Sequence, residues 1–98
     1  MEEPIKIDFL LLKKTAIILR ALNHQLRQQI FKLLDEKKKL TVTHIYESLK
    51  LEQSVASQHL AILRRAGIVK TEREGKFVFY KLNYDRIAQI DRSIKDLL

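Results

Sequence analysis

The feature that most constrains the fold of this chain is a helical pattern that starts at Ser54 and stops at Gly67. Serine is a favourable N-cap residue, and glycine tolerates the left-handed conformation on which helices commonly end. At about 100° per residue, the positions between them divide into two faces. The apolar face contains Val55, Ala56, His59, Leu60, Ile62, Leu63 and Ala66, and the polar face contains Ser54, Ser57, Gln58, Ala61, Arg64 and Arg65. The sequence therefore predicts an amphipathic helix with one packed side.

The polar face of this helix has the side chains that proteins use in the major groove of DNA. Short polar groups near the helix start reach base edges, Ala61 permits close approach, and Arg64 and Arg65 meet phosphates. An ordinary solvated face has a similar composition, so the helix by itself leaves both interpretations open.

Two β-type runs follow the helix directly, Ile68–Glu74 and Phe77–Leu82, on either side of Gly75. They are rich in β-branched and aromatic residues, which predicts a β-hairpin. The tip of this hairpin carries Arg73 and Lys76. A basic hairpin directly after a polar-faced helix is typical of a winged helix-turn-helix, although a hairpin that only adds solubility has the same pattern.

Four short segments are informative together because of their order and spacing. They are Ser57-Gln-His-Leu60, Leu63-Arg-Arg-Ala-Gly-Ile-Val69, Arg73-Glu-Gly-Lys76 and Phe79-Tyr-Lys-Leu82. In this order they closely resemble the ArsR-type winged-helix repressors. Upstream, Leu22-Asn-His-Gln-Leu-Arg-Gln-Gln-Ile30 is similar to that family's entry to its second helix, where Arg27 matches a habitual arginine. The resemblance covers residues 16–84 and implies a winged-helix fold that acts on DNA.

Length and charge limit the number of domains and the classes of partner that this chain can have. Ninety-eight residues suit a single domain over residues 1–98, because two independent cores would be too small. The net charge of +7 indicates a polyanionic partner, either nucleic acid or an anionic membrane surface. The acidic N-terminus lacks the features of a secretory signal, and Lys13 and Lys14 interrupt the longest apolar tract. We therefore expect a soluble, cytoplasmic protein without a membrane partner.

The two ends of the chain predict a dimer interface. Residues 5–22 predict a helix that is apolar around most of its circumference and needs cover on more than one side. A second subunit supplies such cover, and packing within the monomer is the alternative. Residues 84–98 predict a last helix, opened by Asn83 or Asp85, with a narrow apolar seam of the coiled-coil type. The predicted interface residues are Phe9, Leu12, Ile87, Ile90, Ile94 and Leu97.

The residues between these parts complete the predicted architecture. Asn23 is a suitable N-cap for a helix over residues 24–35, and Thr43 for a helix that ends near Leu49. Between these helices, Leu40–Val42 favours a short strand at the edge of the hairpin sheet. The predicted fold is mainly α with a small β-hairpin wing, in the order α-α-(short β)-α-α-β-β-α. It comprises a helix-turn-helix over 43–66, a wing over 68–82 and dimerisation helices over 5–22 and 84–98.

Catalytic and metal-binding patterns are absent from the sequence. The only glycines are Gly67, at a predicted helix end, and Gly75, at the predicted hairpin turn, which excludes a glycine-rich phosphate loop. No cysteine is present as a nucleophile or thiolate ligand. His59 lies on the apolar face of its helix, where a packed, hydrogen-bonded core histidine is expected. The cysteine metal site of the ArsR family matches residues 43–46, which lack cysteine, and the Asp/His site matches a last helix without histidine. We expect no enzyme, cofactor or metal site, and the sequence identifies no effector.

The leading hypothesis is a homodimeric repressor that binds an inverted repeat in double-stranded DNA, with half-sites about 34–36 Å apart or a multiple of that distance. The predicted base-reading residues are Gln53, Ser54, Ser57 and Gln58, and the predicted phosphate contacts are Arg64, Arg65, Arg73 and Lys76. For the last two residues, insertion into the minor groove is a second option. The alternative function is a winged-helix module for protein contacts or for sequence-independent binding to RNA or membrane. A small-ligand pocket between the terminal helices is compatible with the leading hypothesis.

Overall fold

The computed structural model describes residues 3–97, excluding the side chain of Leu97. Within this range the chain forms five helices and a three-stranded sheet. The helices are α1 (Phe9–Leu22), α2 (Gln25–Lys37), α3 (Val42–Leu49), α4 (Gln53–Arg65) and α5 (Tyr84–Leu97). The strands are β1 (Lys39–Leu40), β2 (Val69–Glu74) and β3 (Phe77–Leu82). The predicted element order and the mainly helical class are confirmed.

The sheet is antiparallel, with β3 between β1 and β2. β2 and β3 form the predicted hairpin, in which Val69 pairs with Leu82. β1 pairs with the other side of β3, as expected for an edge strand, but it ends at Leu40 because Val42 already belongs to α3. Val69 and Leu82 are both buried, so the base of the wing is anchored in the helical body.

One apolar core holds the helices and the wing together. Its buried members are Ile18, Ala21, Ile30, Leu34, Ile45, Leu60, Leu63, Ala66, Ile68, Val69 and Leu82. Burial of one Leu or Ile side chain stabilises a fold by about 1.5–3 kcal/mol. Because α3 and α4 both insert side chains into this core, packing fixes the angle between them.

The predicted starts of α2 and α3 are wrong by one or two residues. Asn23 does not cap α2, because its backbone already closes the end of α1. His24 caps α2 instead, and its Nδ1 accepts a hydrogen bond from the Leu26 backbone N–H at 3.1 Å. Thr43 lies inside α3, and the Thr41 hydroxyl oxygen caps that helix by accepting from a first-turn N–H at 3.3 Å. In both cases the helix is capped by another suitable residue that lies one or two positions from the predicted one.

The start of α4 also differs from the prediction. Ser54 lies within the helix, and Glu52 is the N-cap residue without a side-chain capping bond. The turn before it contains no glycine, although such turns often do. Lys50 takes the glycine role, with a φ of 55° in the left-handed region. That conformation costs a non-glycine residue about 1–2 kcal/mol, which the packing of α3 and α4 on the core offsets.

Gly67 ends α4 as predicted. Its φ of 79° lies in the left-handed region, and its N–H donates to the Arg64 carbonyl at 3.0 Å. The Ile68 N–H donates to the Leu63 carbonyl at 3.0 Å, which completes a Schellman motif. Ile68 and Leu63 are both buried, so this turn leads the chain directly from α4 into the wing.

The terminal helices differ in how well their starts were predicted. α1 begins at Phe9 and not at Ile5, because the Asp8 carboxylate caps it by accepting from a first-turn N–H at 3.0 Å. Asn83 opens α5 as predicted, with its side-chain oxygen accepting from a first-turn N–H at 3.3 Å. α1 contacts α2, α4 and α5. None of the helices within residues 3–97 is long and apolar enough to span a membrane.

Candidate nucleic-acid interface

α4 turns its apolar face to the core and its polar face to solvent. On the inner side Ala56, Leu60 and Leu63 are at most 1% exposed. The outer side chains are all exposed, and they are Gln53, Ser54, Ser57, Gln58, Ala61, Arg64 and Arg65. The orientation that the periodicity predicts is therefore confirmed. It presents amide, hydroxyl and guanidinium groups on one continuous helix surface.

The wing tip carries the other two residues that were predicted to contact DNA. Arg73 and Lys76 are both exposed. Arg73 Nε donates to the Gly75 carbonyl at 3.3 Å, and Lys76 Nζ lies 5.6 Å from the centroid of the Phe77 ring. These contacts hold both cationic groups close to the turn of the hairpin.

The carboxylates of Glu72 and Glu74 on β2 form ion pairs with lysines of the other two strands. Lys81 donates to Glu72 at 2.9 Å, and Lys39 donates to Glu74. The hydrogen bond from Lys81 lowers the pKa of Glu72, and the hydrogen bond to Glu74 raises the pKa of Lys39. Within residues 3–97 neither acid pairs with a wing-tip cation, so the tip of the wing keeps its positive charge.

A groove of about 490 Å³ lies between α4 and the wing. Leu60, Ala61 and Tyr80 line it, together with the two arginines Arg64 and Arg65. Guanidinium groups match the geometry of phosphate oxygens, and small residues permit close approach of a partner. The structure thus brings the C-terminal half of α4 and the sheet into one concave, basic surface.

Sequence reasoning missed a polar junction that joins α1, α2 and α4. Arg27 of α2 donates from Nε to the Ala21 carbonyl and from Nη2 to the Arg20 carbonyl at 3.4 Å. Its Nη1 lies 3.3 Å from Nδ1 of His59 on α4, and the ring centroids of His59 and His24 are 4.6 Å apart. Only the match of Arg27 to a habitual family arginine could have indicated this junction.

His59 is packed and hydrogen-bonded, as predicted, but it is half-buried and does not belong to the core. Burial lowers the pKa of His59, and the nearby His24 and Arg27 lower it further. Because a guanidinium only donates, the Nδ1 atom that faces Arg27 accepts, and the proton of the neutral ring sits on Nε2. The imidazole is therefore a neutral connector between α4 and the N-terminal part of α2.

The predicted dimer residues fall into two groups. Phe9 is 71% exposed and Leu12 is 46% exposed on α1, next to other exposed apolar residues of that helix. Ile87 and Ile90 pack partly against the core of the same chain, and Ile94 is half-buried. The side chain of Leu97 lies outside the described part of the chain. The assignment of these residues to a dimer interface stays a prediction.

Metal-ligating residues are dispersed. Across residues 3–97, no three or more histidine, aspartate or glutamate side chains come together in a group that could hold a metal ion.

The geometry defines a class of protein. A short helix, a turn and a second helix with an exposed polar face are followed by an antiparallel hairpin anchored on the same core. This is the winged helix-turn-helix class, in which the second helix of the pair is the recognition helix.

Comparisons with known proteins then give the family. A family model described as a bacterial regulatory protein of the arsR family matches residues 24–71. An uncharacterized HTH-type transcriptional regulator of Methanocaldococcus jannaschii is 39% identical over 85 residues, which cover 87% of this chain and 96% of that protein. The transcriptional repressor PagR of Bacillus anthracis is 35% identical over 85 residues, covering 87% and 85%. The chain belongs to the ArsR family of transcriptional regulators.

Solved structures agree with this assignment. The crystal structure of PagR superposes with a TM-score of 0.76 at 32% identity, covering 89% of this chain and 99% of PagR. A domain from Mycobacterium bovis, described as a homodimeric winged helix-turn-helix DNA-binding domain, superposes with a TM-score of 0.77 at 25% identity. That match covers 99% of this chain and 89% of the domain. The sequence-based resemblance is confirmed.

Proposed function

We propose that this regulator is a homodimeric repressor that recognises an inverted repeat in double-stranded DNA. The observation that carries the proposal is the two-sided character of α4. Its inner residues Ala56, Leu60 and Leu63 are at most 1% exposed, whereas every predicted contact residue on its outer side is exposed. A helix held in this way meets the major groove without losing its packing.

The positions along α4 divide the contacts by type. Gln53, Ser54, Ser57 and Gln58 lie in the N-terminal half of the helix, the part that usually enters the groove. Glutamine matches the donor and acceptor edge of adenine, and serine hydroxyls bond to several bases. These four residues read the bases in our proposal.

The cationic residues hold the protein on the DNA backbone. Arg64 and Arg65 occupy the last turn of α4, and Arg73 and Lys76 occupy the wing tip. Each lysine or arginine that neutralises one phosphate contributes about 0.9 to the slope of log affinity against log salt. These contacts position the recognition helix but carry little sequence information.

Dimerisation rests on the exposed apolar surface of α1, which a second copy of the chain would cover. The Mycobacterium bovis domain is described as homodimeric, which supports the same assembly here. Two-fold symmetry places two recognition helices in successive major grooves, so the half-sites should be about 34–36 Å apart or a multiple of that distance. PagR is named a transcriptional repressor, which supports repression over activation in this proposal.

Selection of duplex DNA from a random pool tests the proposal. Bound sequences should converge on an inverted repeat, and an Arg73→Ala variant should select the same sequence with lower yield. The selected site, placed at a promoter, should reduce transcription in vitro when the protein is added. A pool without a shared sequence would support a module for protein contacts or sequence-independent binding, and increased transcription would identify an activator.

A further inference from the structure

A second concave surface lies between α1, α2 and α4, on residues that the proposed DNA contacts use only in part. It is an open pocket of about 410 Å³. Its apolar lining consists of Ile17 and Ala21 from α1, Ile62 from α4 and Ala66 at the C-cap of α4. Pockets of about 300–1,000 Å³ are of the size that takes small organic molecules.

Three arginines surround this apolar lining, one from each helix: Arg20, Arg27 and Arg65. All ion pairs within residues 3–97 are made by lysines, so none of the three guanidiniums has a carboxylate partner there. The lining contains no acidic residue. Three like charges converge on one pocket, and an anion would relieve their mutual repulsion.

The three guanidiniums are not equivalent. Arg27 uses Nε, Nη1 and Nη2 for contacts within the protein, so it contributes charge more than new hydrogen bonds. Arg20 and Arg65 each use Nε for a carbonyl four residues earlier in their own helix, at 3.5 and 3.4 Å. Their terminal Nη groups are the donors that remain for a ligand.

We propose that this pocket binds a small organic carboxylate with a compact apolar body. The carboxylate would accept hydrogen bonds from the Nη groups of Arg20 and Arg65, a pairing that guanidinium geometry favours. The apolar body would cover the side chains of Ile17, Ala21, Ile62 and Ala66. Inorganic phosphate would leave the apolar lining unused, and a neutral compound would leave the arginines unpaired.

Occupation of the pocket would weaken DNA binding, a consequence that rests on the proposed function. Arg65 lines both this pocket and the groove between α4 and the wing. A carboxylate that engages Arg65 withdraws one cation from the DNA phosphates. Because coupling between two sites is reciprocal, DNA would weaken carboxylate binding by the same factor.

The test uses 1-naphthoate as the probe and NMR titration of the full-length, isotopically labelled chain in the absence of DNA. Shifts should concentrate on the backbone amides of Ile17–Ala21 and Ile62–Ala66. The Arg20→Gln and Arg65→Gln variants should weaken naphthoate binding by about fivefold or more, since each loses a charged hydrogen-bond donor. Arg92→Gln, which removes the same charge from an exposed position of α5 outside the pocket, should not change it.

Two further titrations decide between occupants. 1-Naphthamide, which lacks the charge, should bind at least about fivefold more weakly than the carboxylate. Equal binding of both compounds, or shifts centred on the exposed apolar residues at the start of α1, Phe9–Leu12, would overturn the proposal. Inorganic phosphate that moves the same amides as strongly as naphthoate would identify an anion site without a role for the apolar lining and would also overturn it.

DNA binding is then measured separately with the selected site. Saturating naphthoate should reduce the affinity of the wild type for DNA and have no further effect on Arg65→Gln. If naphthoate binds as expected but leaves DNA affinity unchanged, the pocket stands and its coupling through Arg65 is wrong. If the chain selects no DNA sequence, the proposed function fails while the naphthoate titration still decides the pocket.

Discussion

At the scale of single residues, neighbours in the sequence have unlike environments. Gln58 points to solvent from α4, whereas His59 is half-buried against Arg27 and His24. The side chain of Gln58 is exposed and is a proposed base contact, whereas His59 joins α4 to the start of α2. Substitutions at these adjacent positions should therefore affect different properties, DNA selectivity for Gln58 and stability for His59.

Replacement of Gln58 by alanine should change selectivity more than general affinity. Loss of one bidentate base contact costs about 1–3 kcal/mol at one base position of the site and little on unrelated DNA. The control variant Lys76→Ala should weaken binding to all sequences and reduce the salt slope by about 0.9. Fluorescence anisotropy on single-base variants of the selected site, at several salt concentrations, measures both effects. A uniform loss with Gln58→Ala would exclude base reading by this residue.

His59 makes stability depend on pH. Because its pKa is lowered by burial and then by His24 and Arg27, the unfolded chain takes up a proton at this ring before the folded chain does. Stability from this group is therefore complete above the unfolded pKa of about 6.5 and declines as pH falls from there to the folded value. Urea unfolding at pH 7.5 and 5.5 should show a smaller decline for His59→Gln than for the wild type. An unchanged decline would exclude His59 as its source.

At the scale of elements, the helix-turn-helix is held by local bonds at two of its ends. Thr41 caps α3, and the Schellman motif around Gly67 ends α4. The start of α4 has no side-chain cap, and Lys50 adopts a left-handed conformation just before it. The N-terminal turn of α4 is thus secured mainly by the burial of Ala56 and Leu60.

The different roles of Thr41 and Ser54 can be measured directly. Thr41→Ala should lower the free energy of unfolding by about 0.5–2 kcal/mol, because a first-turn N–H of α3 loses its acceptor. Ser54→Ala should change it by less than about 0.5 kcal/mol, because this exposed serine is not a cap. Urea unfolding monitored by circular dichroism gives both values. A larger loss at Ser54 would show that the serine caps α4 after all.

At the scale of the whole molecule, the chain is extended for its length. Its radius of gyration is 16.0 Å and its principal extents are 61 × 26 × 20 Å, whereas a compact chain of this length has a radius of about 13 Å. The exposed apolar residues of α1 form a surface that would stay in contact with water in a monomer. Both observations favour a protomer that completes its burial in a dimer.

Charge introduced into that surface should dissociate the dimer. Leu12→Asp places one carboxylate in each half of a two-fold interface and should weaken dimerisation by at least about tenfold. Lys13→Asp, at the adjacent exposed position, is the matched control and should remain dimeric. Sedimentation velocity at micromolar concentration measures the assembly, and the monomeric variant should also lose affinity for the full inverted repeat. A wild-type chain that sediments as a monomer would contradict the interface.

Much of the fold follows from local patterns in the sequence. The 3.6-residue periodicity of residues 54–66 set the inner and outer sides of α4, because burial selects apolar residues on one side. Gly67 marked the end of that helix, and the runs around Gly75 marked the wing, because backbone conformation at these points depends on the residues themselves. The exposure of the proposed contact residues on α4 and the wing was predictable from the same patterns.

Tertiary structure decided what local patterns leave undetermined. Asn23 and His24 are adjacent, and Thr41 and Thr43 are two positions apart, and each of these residues could cap a helix. The packing of the elements determines which one does. The junction of Arg27 with His59 and the three-arginine pocket join residues far apart in the chain. No sequence periodicity predicts these contacts. Burial of the core brings the elements together, and the polar residues that come to lie between them do not determine that packing.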